Sequence, residues 1–286
     1  MEERNERGET LKEFLARYDE TKYRRPSNTV DMILLTVLKG KLKVLLVKRK
    51  DHPFIHDWAM PGGFVNFDED LDTAMKRELE EETNLFDSTY FRQLYTFGNA
   101  DRDPRTRVIT TVYLSMTPAE NIKMTSAGDD AMDTGWFTIQ KITTTTDGHE
   151  RKSVLMLDEE EKGIHLRYEI YDTACDNYVQ TRSKLLDSSN AKLAADHIKA
   201  INMAIDVVRN RAASTGIMFN LLPKECTLRE IQEVYEAIVN HPVDTGNFRR
   251  DIKKMLVATG NTTIVNGRKV ATYSFNPLLP FVKETL

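Results

Sequence analysis

The sequence predicts an α/β chain: a mixed sheet with interleaved helices in its first half, and a small unit of two helices and a hairpin at its end. Three observations predict this. Apolar strands recur between residues 30 and 137, around one strongly patterned helix near 70–82. After Pro223 the order is helix, short turn, helix, hairpin. At 286 residues, with 40% apolar and 29% charged content, the chain suits two modest domains and is too apolar for a disordered one.

Residues 9–23 carry Leu11, Phe14, Leu15 and Tyr18 at helical spacing, a short amphipathic helix broken by Pro26 and Ser27. Residues 30–37 and 43–48 are apolar runs flanking the polar turn Lys39-Gly40-Lys41, a hairpin signal. Residues 57–63 form a Pro-Gly-Gly loop that leads into a helix over about 70–82. Further strands are expected at 94–97 and 108–116, and Trp136-Phe137 closes another short one. Composition then changes. The run 143–148, Thr-Thr-Thr-Thr-Asp-Gly, reads as a loop, and 154–157, 164–171 and 178–182 as three short antiparallel strands. Residues 191–211 place Leu193, Ile198, Ile201, Ile205 and Val208 on a helix. Beyond Pro223, Thr227 caps a helix to about 239, with Glu230 completing a capping box. His241-Pro242-Val243-Asp244 turns into a second helix over 246–257, and strands at 262–265 and 269–275 flank Asn266-Gly267. This is the winged helix-turn-helix order. The expected division is 1–142, a β-rich insertion 143–190, a connecting helix 191–222, and a winged-helix unit 223–286.

Several classes are disfavoured. No apolar run approaches the roughly 20 residues that cross a bilayer, and Met1-Glu2-Glu3-Arg4-Asn5-Glu6 is too polar for a signal peptide. Cys175 and Cys226 lack metal-ligand spacing, so a reduced, cytoplasmic setting without membrane partners is expected. A formal charge of −4 argues against indiscriminate nucleic-acid binding by the whole surface. A local exception exists: from His241 onward seven Lys and Arg face three Asp and Glu. Such an asymmetry is the footprint of phosphate-backbone contact, although Asp251 dilutes it and a winged helix can also serve only dimerisation.

Between Gly63 and Leu85 the chain spaces carboxylates as a metal site would. Glu78, Glu81 and Glu82 stand at i, i+3 and i+4, so their carboxylates converge on one side of a helix. A run of glutamates is commonly just a solvated face. Here Leu71, Met75 and Leu79 form the apolar stripe, and at about 100° per residue Glu82 lies only about 60° from Leu79. The cluster therefore begins at the buried edge, where uncompensated charge is costly. Gly62 and Gly63 would let the backbone approach a cation.

Gly63, Glu69 and Arg77-Glu78-Leu79-Glu80-Glu81-Glu82-Thr83-Asn84-Leu85 together resemble the Nudix box, G-x5-E-x7-R-E-U-x-E-E-x-G-U with U aliphatic. Asn84 in place of the final glycine is the one departure, at a post-helix position where asparagine is the next most tolerant residue. The resemblance implies a Nudix α/β/α sandwich with a mixed sheet. It also implies magnesium, or manganese in its place, held by the Gly62 carbonyl and by Glu78, Glu81 and Glu82. Glu78 or Glu82 would activate water, and Arg77 would brace the cluster by pairing with Glu69. Tyr23-Arg24-Arg25-Pro26-Ser27, His52-Pro53-Phe54, Trp58 to Val65, Gln93 to Gly98, Arg102-Asp103-Pro104-Arg105 with Arg107, and Gly128 to Ala131 look like the ADP-ribose pyrophosphatase branch. Arg102, Arg105 and Arg107 are candidate diphosphate ligands by their forked geometry, or else partners of Asp101 and Asp103. Trp58 and Phe54 are candidates to stack on an adenine, with core packing the alternative for at least one, and Asp129 or Asp130 could act as an auxiliary base.

Leu222 to Gln232, Val234 to Ile238 and Asn247-Phe248-Arg249-Arg250 resemble the winged helix of Nudix-related transcriptional regulators of NAD metabolism. That resemblance implies a homodimer and a double-stranded DNA operator, contacted by Asn247, Arg249, Arg250, Lys253 and Lys254 and, at the wing tip, by Arg268 and Lys269. The expected activity is magnesium-dependent cleavage of ADP-ribose, or a related nucleoside diphosphate derivative, to AMP and ribose 5-phosphate. The alternative is a regulator of NAD or sugar metabolism whose Nudix domain senses such a ligand.

Overall fold

The structure, a computed structural model, describes residues 2–83, 90–122, 131–176, 178–276 and 278. Asn84, Asp129 and Asp130 lie outside the described residues. A short helix α1 (Leu11–Arg17), capped by Thr10 and Glu13 in a capping box, precedes the sheet. Strands β1 (Ser27–Leu38) and β2 (Lys41–Arg49) form the expected hairpin, because Lys39 and Gly40 accept the positive φ of 52° and 70° that a two-residue turn demands. Then come β3 (Trp58–Ala59), β4 (Gly62–Phe64), helix α2 (Leu71–Thr83), β5 (Tyr90–Phe97) and β6 (Val108–Met116). Four longer strands follow, β7 (Ala131–Asp147), β8 (Glu150–Glu159), β9 (Ile164–Cys175) and β10 (Tyr178–Leu185). One mixed sheet holds them in the order β10-β9-β8-β7-β2-β1-β6-β5, with β3 on β2 and β4 on β1. The β1–β6 pair is parallel, as a sheet with a crossing connection requires.

Alternation along β1 and β2 sorts the side chains into two layers. Val30, Met32, Leu34 and Leu45 face α2, where Ala74, Met75 and Leu79 meet them. Ile33, Leu35, Val44 and Leu46 face the other way, towards helix α3 (His197–Ala212) and its Ile198, Ile201, Ile205 and Val208. The result is the expected α/β/α sandwich. The second layer runs on into the C-terminal unit of α4 (Leu228–Val239), α5 (Thr245–Ile252), β11 (Leu256–Val265) and β12 (Arg268–Phe275). Ile231, Val234, Ile238, Phe248 and Ile252 share one apolar cluster with α3. Thr227 and Glu230 make the expected capping box, and Asn266 and Gly267 take the positive φ of the wing turn.

Three expectations are corrected. The run 143–148 is not a loop: β7 continues through Asp147, because β-branched threonines pair well against β8, with one irregularity between Thr143 and Thr145. Residues 191–196 are not helical, since Trp58 N–H donates to the Lys192 carbonyl and Ala194 N–H to the Trp58 carbonyl, holding the chain extended beside β3. The second helix of the C-terminal unit stops at Ile252, and Lys253–Met255 form a tighter turn before β11. Among the described residues, no helix is long and apolar enough to cross a membrane.

Candidate functional site

The Gly-Gly pair positions everything else in the cleft. Gly62 pairs with Asp31 and Gly63 with Val30 in the β1–β4 ladder. Gly62 has φ +150°, and a Cβ there would lie 2.2 Å from the Val30 carbonyl oxygen. At Gly63 a Cβ would lie 2.2 Å from Glu78 Oε1, so the missing side chain is the space the Glu78 carboxylate fills. Only glycine leaves that room.

Arg77 organises the carboxylates around it. Its guanidinium donates to Glu69 (2.7 and 3.1 Å), Glu78 (2.8 Å), Glu81 (3.2 Å) and the Phe64 carbonyl (3.1 Å). Asn66 N–H also donates to Glu69, at 2.7 Å. These hydrogen bonds hold the Glu69 carboxyl below its usual range, Arg77 first among them. Burial pushes Glu78 the other way, above the usual carboxylate range, despite Arg77. Glu78 is the buried member of the set, whereas helical angles had placed Glu82 nearest the core; β4 covers the Glu78 side of α2 instead.

The expected convergence of Glu78, Glu81 and Glu82 is only partial. All three line one cleft with Gly62, Gly63 and Arg77. Among the described residues, however, no three acidic, histidine or cysteine side chains stand gathered as a metal cage. Like charges repel, and the guanidinium draws Glu78 and Glu81 towards Glu69. The set nonetheless fits a small hard cation in donor type, being all oxygen, and in placement, since the carboxylates and the Gly62 backbone line one open cleft.

The cleft has a volume of about 910 Å³. Its lining also includes Asp31, Lys48, Arg49, His52, Phe54 and Arg105. Arg102 also lines it, 6% exposed, with Nη2 and Nε donating to Asp196 at 2.8 and 3.3 Å and with Asp31 at 4.0 Å. Arg105 pairs with Asp103 at 2.8 Å and stacks over Phe64. Arg107 is exposed and is not among the residues that line the cleft. Trp58 is corrected: 1% exposed and edge-on to Phe137 at 4.8 Å, it belongs to the core and offers no face to a base. Phe54, half-buried on the cleft, keeps one available.

Sequence reasoning missed Asp31, Asp196 and His197. Asp31 was detectable as a lone charge inside the apolar run Val30-Asp31-Met32-Ile33-Leu34. The other two were hidden by an expected helix start six residues too early. His197 is buried; its Nδ1 accepts the Met60 N–H at 2.9 Å, and burial lowers its pKa, which favours the neutral ring.

In the C-terminal unit, Asn247, Arg249 and Arg250 on α5, Lys253 and Lys254 just after it, and Arg268 and Lys269 at the β11–β12 turn are all exposed. Arg250 has Asp251 within 3.4 Å, a solvated pair of little energetic consequence. Phe248 and Ile252 are buried on the opposite side of α5, with Phe248 against Tyr235.

An α/β/α sandwich with this glycine–arginine–glutamate cleft, followed by a winged helix, defines a Nudix protein with a C-terminal winged-helix domain. The chain belongs to the Nudix family: residues 26–157 match the NUDIX domain and residues 218–275 the NrtR DNA-binding winged helix domain. It is 28% identical over 266 residues to the ADPR responsive transcriptional repressor NtrR of Acinetobacter baylyi, covering 92% of this chain and 87% of that protein. It is 34% identical over 143 residues to an ADP-ribose pyrophosphatase of Methanocaldococcus jannaschii, covering 49% of this chain and 80% of the relative. Among solved structures, Shewanella oneidensis NrtR complexed with a 27mer DNA superposes with TM-score 0.58 at 26% identity, covering 87% of this chain and 93% of that one.

Proposed function

We propose that the protein is a DNA-binding regulator that responds to ADP-ribose or a related nucleoside diphosphate derivative bound in its Nudix cleft. The observation that carries this reading is the join between the two units: α3 starts in the cleft wall and ends packed against the winged helix. The similarity to an ADPR responsive repressor across 92% of the chain supports it. In this reading the exposed Asn247, Arg249, Arg250, Lys253, Lys254, Arg268 and Lys269 meet the DNA backbone and grooves, as their charge and exposure suit. Arg105 and the cationic wall at Lys48 and Arg49 face the diphosphate, and Phe54 offers a stacking surface. The proposed division falls near 142, 190 and 222, with β7 crossing the first boundary and α3 starting only at His197, and a homodimer is the unit that reads a two-fold operator.

A second reading, retained hydrolysis, is favoured by the complete set of Glu69, Arg77, Glu78, Glu81 and Glu82 around the Gly63 cradle. Glu78, Glu81, Glu82 and the Gly62 carbonyl would hold magnesium or manganese, which when bound neutralises diphosphate oxygens and acidifies water. The chain's own part is to place these carboxylates: Arg77 fixes Glu78 and Glu81, and Glu69 fixes Arg77.

One preparation tests both. Duplex DNA from upstream of the protein's own gene is expected to be retarded in a gel, to be released or tightened by ADP-ribose, and to be lost with Arg249→Ala/Arg250→Ala. Absence of any shift at low salt refutes DNA binding. AMP release from ADP-ribose with magnesium, abolished by Glu82→Gln, decides hydrolysis.

A further inference from the structure

Helix α3 is held at both ends by different functional parts. Its N-cap residue, Asp196, makes no capping bond to its own helix. An N-cap aspartate normally accepts the N–H of the second or third residue. Here the carboxylate is given over to Arg102, which reaches it through both Nη2 and Nε. The next residue, His197, accepts the Met60 N–H, two positions before Gly62. Two consecutive residues at the start of α3 therefore grip two separate segments of the cleft. Near the other end, Arg209 Nε donates to the Ile238 carbonyl of α4 at 2.9 Å, and its Nη1 to the Lys141 carbonyl of β7 at 3.1 Å.

The arginines lining the cleft differ in what their displacement would move. Arg77 is bound to Glu69, Glu78 and Glu81, all within the cleft-forming segment. Arg105 is bound to Asp103 on its own loop, and Arg49 donates to the Pro53 carbonyl. Arg102 is the one whose carboxylate partner stands on the helix leading to the winged helix. Its guanidinium is also nearly buried between two carboxylates, Asp31 and Asp196, so the trio carries a net negative charge beside the cleft.

We propose that the Arg102–Asp196 ion pair is the coupling contact between ligand and DNA: an anionic diphosphate in the cleft takes Arg102 from Asp196, and α3 transmits the loss to the winged helix. The proposal rests on the regulator reading above. Exchange of a carboxylate for phosphate oxygens on one guanidinium replaces one charge-assisted pair by another, so a modest difference in affinity suffices to shift the balance. The freed Asp196 carboxylate can then cap the first turn of α3, whose N–H groups it otherwise leaves without it. A reset first turn repositions a helix that Arg209 fastens to α4. His197, still bound to Met60, is the pivot on the Gly-Gly loop about which α3 shifts. Asp196 is a positioning residue in this scheme, acting through Arg102.

The test uses the full-length protein and ADP-ribose as the probe, with affinity from calorimetry and backbone hydrogen exchange followed by mass spectrometry. In the unmodified protein, saturating ADP-ribose is expected to change exchange at residues 197–201 and again in α4 near 235–239. Asp196→Asn removes the competitor for Arg102, so ADP-ribose is expected to bind about fivefold or more tightly, the low end of usual couplings. In that variant the response in α4 disappears, whereas Asp196→Glu retains it. A merely structural role for Asp196 gives weaker binding instead and overturns the proposal. ADP-ribose binding with no exchange change in α3 and α4 also overturns it and leaves ligand binding intact. No binding to the unmodified protein overturns the ligand reading, and the proposal with it. Should Asp196→Asn fail to fold, the exchange response of the unmodified protein decides alone.

Discussion

Alanine at Gly62 and alanine at Gly63 are expected to fail in opposite ways, although the two positions adjoin. At Gly62 the new Cβ would lie 2.2 Å from the Val30 carbonyl oxygen and 2.8 Å from Asp31 Cα, both backbone atoms of β1. That backbone cannot withdraw without opening the β1–β4 ladder. The φ of +150° adds strain of about 1–3 kcal/mol for a residue with a side chain. Overpacking contributes a further ~1–3 kcal/mol. With each kcal/mol lowering the melting temperature by roughly 2–4 °C in a chain of this size, a fall on the order of 10 °C is expected. At Gly63 the three atoms nearest the new Cβ all belong to the Glu78 carboxyl group, the end of a side chain that can rotate. Displacing it costs about 1 kcal/mol in an off-rotamer arrangement, so the melting temperature should fall only a few degrees. The loss is of function instead: Glu78 leaves its cradle, and Arg77 loses the partner at 2.8 Å. Thermal unfolding by circular dichroism and manganese binding by electron paramagnetic resonance separate the two. Gly63→Ala should weaken manganese binding about tenfold or more, as a disturbed support of a metal ligand does. Manganese bound by Gly63→Ala as tightly as by the unmodified protein would refute the placement of Glu78. Unfolding as early as Gly62→Ala would refute the distinction between the two glycines.

Other perturbations read other parts of the molecule. His197 is held neutral when folded, its pKa lowered by burial, so the unfolded chain takes up a proton from about pH 6.5 downward while the folded chain does not. Stability should therefore decline as pH falls below about 6.5, and His197→Gln should flatten that decline in urea titrations at pH 7 and pH 5.5. An equal pH dependence in the variant contradicts a neutral folded ring. Lys141, buried beside Asp206 at 2.6 Å and Asp172 at 4.0 Å, ties β7 to β9 and α3. Lys141→Met should destabilise by roughly 1–3 kcal/mol, less than a fully buried pair because Arg151 and Asp206 remain partly exposed and can compensate. An unchanged denaturation midpoint contradicts this. Arg249→Ala/Arg250→Ala should weaken binding to every duplex alike and reduce the slope of log K against log salt by about 2 if each arginine meets one phosphate. Loss for one sequence only points to base contacts instead.

Much of this architecture was legible where a local rule acts alone. The turn at Lys39-Gly40 and the capping box of Thr227 and Glu230 are local devices, and both stand as the sequence implied. The Gly63, Glu69, Arg77 and Glu78 spacing was legible for the same reason, since a helix and one loop fix it. Legibility failed where tertiary pairing overrides local preference. Thr143 to Thr146 look like a loop until β8 lies beside them, and residues 191–196 look helical until Trp58 claims their backbone. Trp58 was offered to a ligand because nothing local reveals that Phe137, far along the chain, encloses it. Arg102 was assigned to the diphosphate with no sign of Asp196, its partner across 94 residues. Helical angles ranked Glu82 as most buried because they see one helix and not the strand laid over Glu78.

The measurement that bears most directly on the central claim is the affinity of the full-length protein for its upstream duplex DNA, by fluorescence anisotropy, with and without saturating ADP-ribose. A change of about fivefold or more in either direction is the expected result for two coupled sites. DNA affinity that stays the same while calorimetry shows the cleft filled would contradict ligand control of the winged helix.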